Sequence, residues 1–431
     1  MPELTLLTYV LITVATIWLG LRVYGRWINH ITIYGIVWGT QIVLFQLRLI
    51  KYYDFSPETT FLIFGAWAVF VVSSLTFKTF YSGNVPATRE RTHEGVGFLT
   101  PVLVTFTLVG AIGTYQHWLV LIRLFGSIKN VIISGNVLYT LRTRESGIPG
   151  MWPYVDSFGL AADFLGGYFA AARGRPILLA MIPIVVQIAN AISGFGRSGL
   201  VIGLILWGTA YFVPQANKRT RDWKSLRKRF LLVTSVLLIS ALGMELIREY
   251  RGTNESFAGE TGSLSKAKGV AFIAPSVYLY LSSDVAVLNK FLDYEFSGET
   301  ENTPVGANTF APFFRLFSKY GISDYVREYQ KFYNVPVGTN TGTYLRELYA
   351  DWGIGGTMLA VYVIGALCSV AATVYDRRRT LSSLVILSHL YAFVFFTFMV
   401  MLSRATYWLI SLVASLIAAA IVDKFSVRTD T

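Results

Sequence analysis

Hydrophobic residues along this chain collect in long runs, and most of the charged residues lie in the segments between them. Each run is about 20 residues long, which is the length that carries an α-helix across the hydrocarbon core of a bilayer. The pattern predicts about eleven membrane-spanning helices. They are Leu4–Leu21, Ile31–Ile50, Thr59–Phe77, Gly97–Gln116, Pro153–Ala171, Pro176–Ala191, Arg197–Val213, Phe230–Ile247, Gly353–Tyr375, Leu381–Leu402 and Tyr407–Asp423.

The basic residues predict how these spans are oriented. Lysines and arginines near span ends favour the cytoplasmic side, and the segment 218–229 is the most basic of these loops. Counting from that loop puts the N-terminus on the periplasmic side and the C-terminus in the cytoplasm. It also puts residues 248–352 outside as one large extracytoplasmic loop. The short basic loops at Arg22, Lys78, Arg173 and Arg377 then all fall inside.

This topology predicts an all-α polytopic membrane protein in three regions. Residues 1–247 hold the first eight spans, 248–352 form the extracytoplasmic loop, and 353–431 hold the last three spans and a cytoplasmic tail. The loop is rich in aromatic residues, and helices are predicted at Ser323–Phe332 and Asn340–Trp352. Two apolar stretches, His117–Arg144 and Gly269–Leu281, are interpreted as an interfacial segment and as part of the loop, since a span in either would break the charge rule.

Composition narrows the classes of protein further. The chain is 54% hydrophobic and only 14% charged, too little charge to cover a water-soluble protein of 431 residues. A single cysteine, Cys368, makes no intrachain disulfide, and the four histidines are scattered, so no metal site is expected. The net charge of +12 is explained by orientation, and no nucleic-acid partner or cofactor is predicted.

Several ionisable residues stand near the predicted outer ends of spans, where charge is costly and is usually functional or paired. Arg197 opens the seventh span, Asp163 lies in the fifth, and Arg404 lies between the last two. A further group, Glu245, Arg248 and Arg251, shares one helical face at the end of the eighth span. Arginines at one depth suit a pyrophosphate, because the planar guanidinium stays charged and binds oxygens in pairs. Pairing or snorkelling to headgroups is the alternative interpretation.

Two stretches resemble a known family. The segment Thr339–Gly353, with the sequence TNTGTYLRELYADWG, resembles the region before the late spans of oligosaccharide repeat unit polymerases. These are enzymes of the O-antigen polymerase type, related to the O-antigen ligases. Phe195–Gly199 resembles their mid-chain arginine motif. The order of features is similar across nearly the whole chain: an outer arginine, a basic cytoplasmic loop, one large external loop, then the last spans.

The resemblance implies a GT-C-like glycosyltransferase in the bacterial inner membrane. A growing glycan would be transferred, with inversion, from undecaprenyl pyrophosphate to a new lipid-linked repeat unit. Membrane lipids and a chain-length regulator are the other expected partners. No Asp-x-Asp motif occurs, so arginine rather than a metal ion would neutralise the leaving group.

The roles that follow are hypotheses about named residues. Arg197, Arg248, Arg251, Arg346 and Arg404 would bind substrate pyrophosphate, and Tyr344 and Tyr349 would line the acceptor groove. The candidate general bases are Glu347, Asp351, Asp163 and Glu245.

Other functions stay open at this point. A flippase or transporter of lipid-linked oligosaccharide would favour inverted repeats and charges near the midplane, and no repeat is seen. A glycan ligase would make a single transfer instead of a ladder of polymer. A scaffold of an export machine would leave the charged positions without a role.

Overall fold

The apolar runs form helices in the structure, a computed structural model that describes residues 2–50, 52–82, 96–135, 137–138, 141, 148–194, 196, 198–216, 275–296, 304–326, 331–335 and 338–426. The α-helices are α1 (Pro2–Tyr24), α2 (His30–Gln46), α3 (Pro57–Ser82), α4 (Val96–Phe125), α5 (Ile128–Ile133), α6 (Ser157–Ala172), α7 (Leu178–Gly194), α8 (Ser198–Ala216), α9 (Pro275–Phe296), α10 (Ala311–Ser318), α11 (Tyr344–Arg378), α12 (Leu381–Phe396) and α13 (Thr406–Ser426). A 3₁₀ turn covers Leu402–Arg404, and two strands, β1 (Tyr333–Asn334) and β2 (Gly338–Thr339), form an antiparallel hairpin.

The described part of the chain is that of a multi-pass, mostly α-helical membrane protein. Six helices are long and apolar enough to cross a bilayer, and they coincide with predicted spans: α1, α3, α4, α8, α11 and α13. Two shorter apolar helices, α7 and α12, fall on two further predicted spans. The predicted spans at Ile31–Ile50 and Pro153–Ala171 are also helical, as α2 and α6, but shorter. The predicted span Phe230–Ile247 lies outside the described residues.

The chain forms two compact units, each assembled from separate stretches of sequence. Unit 1 comprises Met1–Arg89, Phe257–Arg379 and Leu390–Thr406. Unit 2 comprises Glu90–Ser256, Thr380–His389 and Tyr407–Thr431.

Unit 1 is organised around α3 and α11, which pack closely along their lengths. Gly365 of α11 allows this approach, because a Cβ there would lie 2.7 Å from the carbonyl oxygen of Phe70. Small residues at such contacts let membrane helices pack backbone to backbone. Beside them, Tyr34 of α2 stacks on Phe70, with ring centroids 4.2 Å apart, and is fully buried.

Helix α9 belongs to the sequence-predicted extracytoplasmic loop and packs on the ends of α2 and α3. Its Tyr278 and Leu279 form a buried apolar cluster with Leu44 and Ile50. Asn289 accepts hydrogen bonds from the backbone N–H of Ser56, at 2.9 Å, and the hydroxyl of Thr59, at 2.8 Å. The described part of the apolar stretch Gly269–Leu281, from Pro275 on, belongs to a 22-residue helix that continues to Phe296.

Unit 2 contains α4, α6, α7 and α8, again with glycines at the closest crossings. A Cβ on Gly110 of α4 would lie 2.8 Å from the backbone of Gly159 in α6. Asp163 of α6 is fully buried, and Gly203 of α8 packs directly against its carboxylate. Trp207 donates from its ring nitrogen to the carbonyl of Ala180, at 3.0 Å, and so ties α8 to α7.

Two element boundaries differ from the sequence prediction. The helix predicted at Ser323–Phe332 is wrong for its described residues: residues 323–326 and 331–332 are not helical. Val326 instead packs with Ala307 and Ala311, and the Ser323 hydroxyl donates to Phe314 O at 3.0 Å. Tertiary packing therefore outweighs the helical spacing. Helix α4 also runs nine residues past the predicted end at Gln116, to Phe125.

A polar network lies at the end of unit 1 where α11 ends. Asp376, in the last turn of α11, pairs with Arg26 at 2.5 Å and approaches Lys78 of α3 at 3.8 Å. Arg26 also donates to the Tyr391 hydroxyl at 3.4 Å. Arg26 and Lys78 therefore meet at one carboxylate, at the end of unit 1 where α11 ends.

Candidate functional site

The first two turns of α11 carry most of the described candidate residues. Thr343, in extended conformation, precedes the helix, and the N–H of Tyr344 donates to Thr397 O at 2.9 Å. The helix therefore begins here as predicted, within Asn340–Trp352. Glu347 in this first turn is favoured by the partial positive charge of the helix N-terminus. At Gly353 the helix kinks, with φ +60° and ψ −169°.

Five buried residues of unit 1 lie in this region: Asp284, Arg346, Glu347, Asp351 and Arg404, which we call the buried ionic cluster. Each is 6% exposed or less. Asp284 comes from α9, Arg404 from the 3₁₀ turn, and the others from the start of α11. Buried ionisable groups are costly unless they are paired, so their partners indicate what each one does.

Arg346 and Glu347 form the centre of the cluster. A guanidinium nitrogen of Arg346 lies 3.7 Å from a carboxylate oxygen of Glu347, and it also donates to Asn340 O at 3.2 Å. Gly342 makes room for this side chain, since a Cβ there would lie 3.1 Å from the guanidinium. The other terminal nitrogen of Arg346 has no hydrogen-bond partner among the described residues. That nitrogen can donate to an anionic ligand.

Glu347 has unused acceptor capacity. Neither of its carboxylate oxygens accepts a hydrogen bond from a residue that the structure describes, although the side chain is only 1% exposed. An ionised carboxylate in such a position keeps all of its lone pairs for an incoming donor. Burial raises the pKa of Glu347, and the charges of Arg346 and Arg404 partly oppose that shift. Burial lowers the pKa of Arg404, and Glu347 opposes that shift, in keeping with their proximity.

Asp284 is the member of the cluster that α9 contributes. It accepts one long hydrogen bond, 3.4 Å, from the amide of Gln41, and its other oxygen has no partner in the described ranges. Burial raises the pKa of Asp284 well above its usual range, while Thr341 and Arg346 partly oppose that shift. A neutral carboxylic acid at this position would leave the net charge of the cluster to the other four residues.

Asp351 and Arg404 both form hydrogen bonds with Asn308. Asp351 accepts from the N–H and side-chain amide of Asn308, both at 3.0 Å, and from Thr309 N–H at 2.5 Å. Arg404 donates to the carbonyl and side-chain oxygens of Asn308 at 3.0 and 2.9 Å. Asn308 therefore bridges the two, and the Asp351 carboxylate is already occupied by donors.

The two tyrosines occupy different environments. Tyr344 is fully buried, and its hydroxyl pairs with that of Tyr34 at 3.1 Å. Tyr349 is half-buried and lines a cavity of about 280 Å³. The rest of the cavity wall is formed by Pro57, Glu58, Phe61, Leu62, Leu292 and Ile354. Of the two, Tyr349 is therefore the one with open space beside it.

The remaining sequence-predicted site residues belong to unit 2 or lie outside the described residues. Asp163 belongs to unit 2, where neither carboxylate oxygen has a hydrogen-bond partner among the described residues. Arg197, Glu245, Arg248 and Arg251 lie outside the described residues. Within the described ranges, no group of three or more His, Cys, Asp or Glu side chains is placed to hold a metal ion.

Sequence reasoning missed three residues of this region: Asp284, Asn308 and Arg315. Asp284 had a usable signal, because it is the lone carboxylate in a strongly apolar stretch between Tyr278 and Leu292. Arg315 donates to Arg404 O at 2.7 Å, and one of its terminal nitrogens has no partner among the described residues. Asn308 and Arg315 carry no such signal, since polar residues are ordinary in a loop.

No protein-family model, curated protein or solved structure matches the chain.

Proposed function

We propose that the chain polymerises lipid-linked oligosaccharide repeat units by inverting glycosyl transfer. The reaction would take place at the periplasmic face of a bacterial inner membrane, with the N-terminus periplasmic and the C-terminus cytoplasmic. Two observations support the proposal, and they share residues. One is the resemblance of residues 339–353 to repeat unit polymerases, and the other is the chemistry of the buried ionic cluster, which contains residues of that same segment.

The state of Glu347 is the observation that carries the proposal. It is a buried carboxylate with both oxygens free of hydrogen bonds from described residues, beside two guanidinium groups. Leaving such a group without hydrogen bonds costs about 1–3 kcal/mol or more, and structural carboxylates rarely carry that cost. An acceptor hydroxyl in hydrogen-bond contact would satisfy it.

The proposed reaction step uses Glu347 as general base. The hydroxyl oxygen of the acceptor sugar bonds to the anomeric carbon of the donor, on the face opposite the leaving group. The bond from that carbon to the pyrophosphate oxygen breaks, and its electron pair leaves with undecaprenyl pyrophosphate. The hydroxyl proton passes to Glu347, and the configuration at the anomeric carbon inverts.

Arginines would stabilise the charge that develops on the leaving group, usually the largest electrostatic contribution to such a reaction. Arg346 and Arg315 each keep a terminal nitrogen without a described partner, which supports donation to phosphate oxygens. Arg404 would act with them from its place on Asn308, close to Glu347. Arg197, Arg248 and Arg251 stay candidates for pyrophosphate binding from the sequence alone.

The remaining candidates would position substrate and chain. Asp351 already accepts three hydrogen bonds, so we assign it to holding the turn at Asn308 and Thr309 instead of taking a proton. Tyr349 would contact the acceptor from the wall of its cavity. Tyr344 would support the first turn through its contact with Tyr34. Asp163 and Glu245 remain alternative bases, to be compared by the same assay.

The test is polymerisation by the purified protein in detergent, with undecaprenyl pyrophosphate-linked repeat units as the only substrate. Wild type should produce a ladder of lengthening glycans on a gel. The Glu347→Gln variant should lose at least about 100-fold in rate, the size expected for a general base. Asp54→Asn is the matched control, because that carboxylate pairs with Arg48 on the surface and its side chain is 75% exposed.

The outcomes separate the rival functions. A flippase or transporter would form no covalent product, since substrate in detergent needs no translocation. A ligase would give one transfer and no ladder. A Glu347→Gln variant that polymerises at the rate of Asp54→Asn would remove Glu347 as the base.

A further inference from the structure

The segment from Val305 to Tyr325 exposes an unusual amount of apolar surface. Phe310, Phe313 and Phe317 recur at helical spacing along α10, and Tyr320 and Ile322 follow it. Their exposures run from 43% for Phe317 to 74% for Tyr320. Contiguous apolar patches of this kind usually mark a surface that another apolar phase or partner covers.

The opposite face of the same helix is apolar as well, and it is already packed. Ala311 is buried with Ala307 and Val326, and Phe314 packs against them. Arg315 reaches away from this core to Arg404 O at 2.7 Å and to the hydroxyl of Thr406 at 3.0 Å. A helix that is hydrophobic on both faces is not suited to water on its open face.

Hydrogen bonds fix this segment at the level where membrane-spanning helices begin. Asp351, two residues before the kink of α11, holds the backbone of Asn308 and Thr309. Trp352 donates to the Thr309 hydroxyl at 3.1 Å and is itself 42% exposed. Thr406, which binds Arg315, is the first residue of α13. Tryptophan at a span end is typical of the membrane–water interface.

We propose that α10 and the residues around it lie in the headgroup–acyl boundary of the leaflet that borders this end of unit 1. The aromatic and aliphatic face would be inserted among the lipid chains, and the exposed Lys319 would face anionic headgroups. The buried ionic cluster would thereby be held at the depth of lipid phosphates. This inference goes beyond the proposed function and does not depend on it.

Lipid fits this face better than a sugar ligand does. Aromatic rings can stack on sugars, but Leu316 and Ile322 offer no flat ring and are 49% and 72% exposed. A mixed face of phenylalanine, leucine, isoleucine and tyrosine with a lysine beside it is typical of a helix lying in an interface.

The test measures the depth of single labelled residues in vesicles of phosphatidylethanolamine and phosphatidylglycerol. Because the only native cysteine, Cys368, is buried, a Cys368→Ala background accepts one new cysteine with an environment-sensitive fluorophore. Labels are placed at Phe313→Cys, Leu316→Cys and Phe317→Cys. Leu359→Cys, 66% exposed on α11, is the control within the span, and Asn334→Cys, exposed in the hairpin, is the control in water.

Spin-labelled lipids should quench the three α10 labels about twofold or more above the Asn334 label, as expected for burial at the interface. Lipids labelled near the headgroup should quench them more than lipids labelled near the acyl terminus, and Leu359 should show the reverse order. Three positions are used so that a variant which fails to insert leaves two others to report.

Two results would overturn the proposal. Quenching by aqueous iodide to the same extent as at Asn334, without quenching by lipid, would put the face in water, where a glycan could use it. Protection from both iodide and lipid quenchers would mean that protein covers the face, from residues of this chain or from a second copy.

Discussion

The two ends of α11 hold their charges in different ways. Asp376, in its last turn, lies 2.5 Å from Arg26 and 3.8 Å from Lys78, and its side chain is 28% exposed. Glu347, in its first turn, is 1% exposed, stands 3.7 Å from Arg346, and accepts no hydrogen bond from the described residues. The Asp376 carboxylate is neutralised by its two basic neighbours. The Glu347 carboxylate is buried, and its oxygens accept no hydrogen bond from the described residues.

If the proposed function holds, this difference separates charges that stabilise the fold from charges that bind substrate. Removing one member of a closed pair leaves the other buried and uncompensated, so stability falls. Removing a group whose hydrogen-bonding capacity is unused in the folded protein costs little stability. It does abolish the binding of any ligand that the group contacts. The following predictions use that contrast, in order of expected effect.

Arg346→Lys should cause the largest loss. Lysine keeps the charge but lacks the planar fork, and it removes the terminal nitrogen that has no partner among the described residues. We expect the polymerisation rate to fall about 100-fold, the usual size for one electrostatic donor, with little change in melting temperature. Initial rates in the detergent assay measure this effect. Arg48→Lys, at a half-exposed pair with Asp54, is the control, and equal rates for the two variants would contradict the contrast.

Asp376→Asn should show the reverse behaviour. Arg26, whose side chain is 4% exposed, would lose its carboxylate partner, and the protein should be destabilised by about 3 kcal/mol. The rate per folded molecule should stay at the wild-type value below the melting temperature. A thermal melt and an active-fraction measurement on the same sample check both parts. Lost activity in folded protein would mean that this end also takes part in the reaction.

Asp351→Asn should have a smaller effect than either of these two. An amide has one acceptor oxygen and cannot accept from both the Asn308 and Thr309 donors as the carboxylate does. We expect a stability loss of about 1–3 kcal/mol for the donors left unsatisfied. Cooling should restore the folded fraction and with it the activity, because Asp351 stabilises the fold and takes no proton in the reaction. An activity loss that does not recover on cooling would make Asp351 a base candidate again.

Asp284→Asn should have the smallest effect, and its sign depends on pH. Burial raises the folded-state pKa of Asp284, so the folded protein holds a proton that the unfolded chain has released. Wild-type stability contributed by this group is therefore full below about pH 4 and falls as pH rises. The Asn variant should melt at or above the wild-type temperature at pH 8 and lose that advantage towards pH 4. Melts across this range test the direction, and a lower melting temperature at pH 8 would refute it.

Much of the fold follows from the sequence because hydrophobic runs report spans directly. The start of α11 and its Arg346 and Glu347 were also predictable from a resembling motif and a helical pattern. The non-helical conformation of the described residues in Ser323–Phe332 could not be predicted. Val326 is fixed there by packing with Ala307 and Ala311, which local spacing does not encode. Asp284 reaches the cluster only when α9 packs on α2, a contact between residues more than 200 positions apart in the sequence.

The kink at Gly353 has a mechanical consequence. In the left-handed region at φ +60°, this glycine separates the two turns that carry the cluster from the long apolar part of α11. The cluster-bearing turns take their orientation from Thr397, Tyr34 and Asn308, whereas the rest of the helix packs on α3 and ends at the pair with Arg26. A thicker or thinner membrane changes the tilt of a spanning helix. Here such a change would be absorbed at one glycine, and the spacing of the charged groups would be preserved.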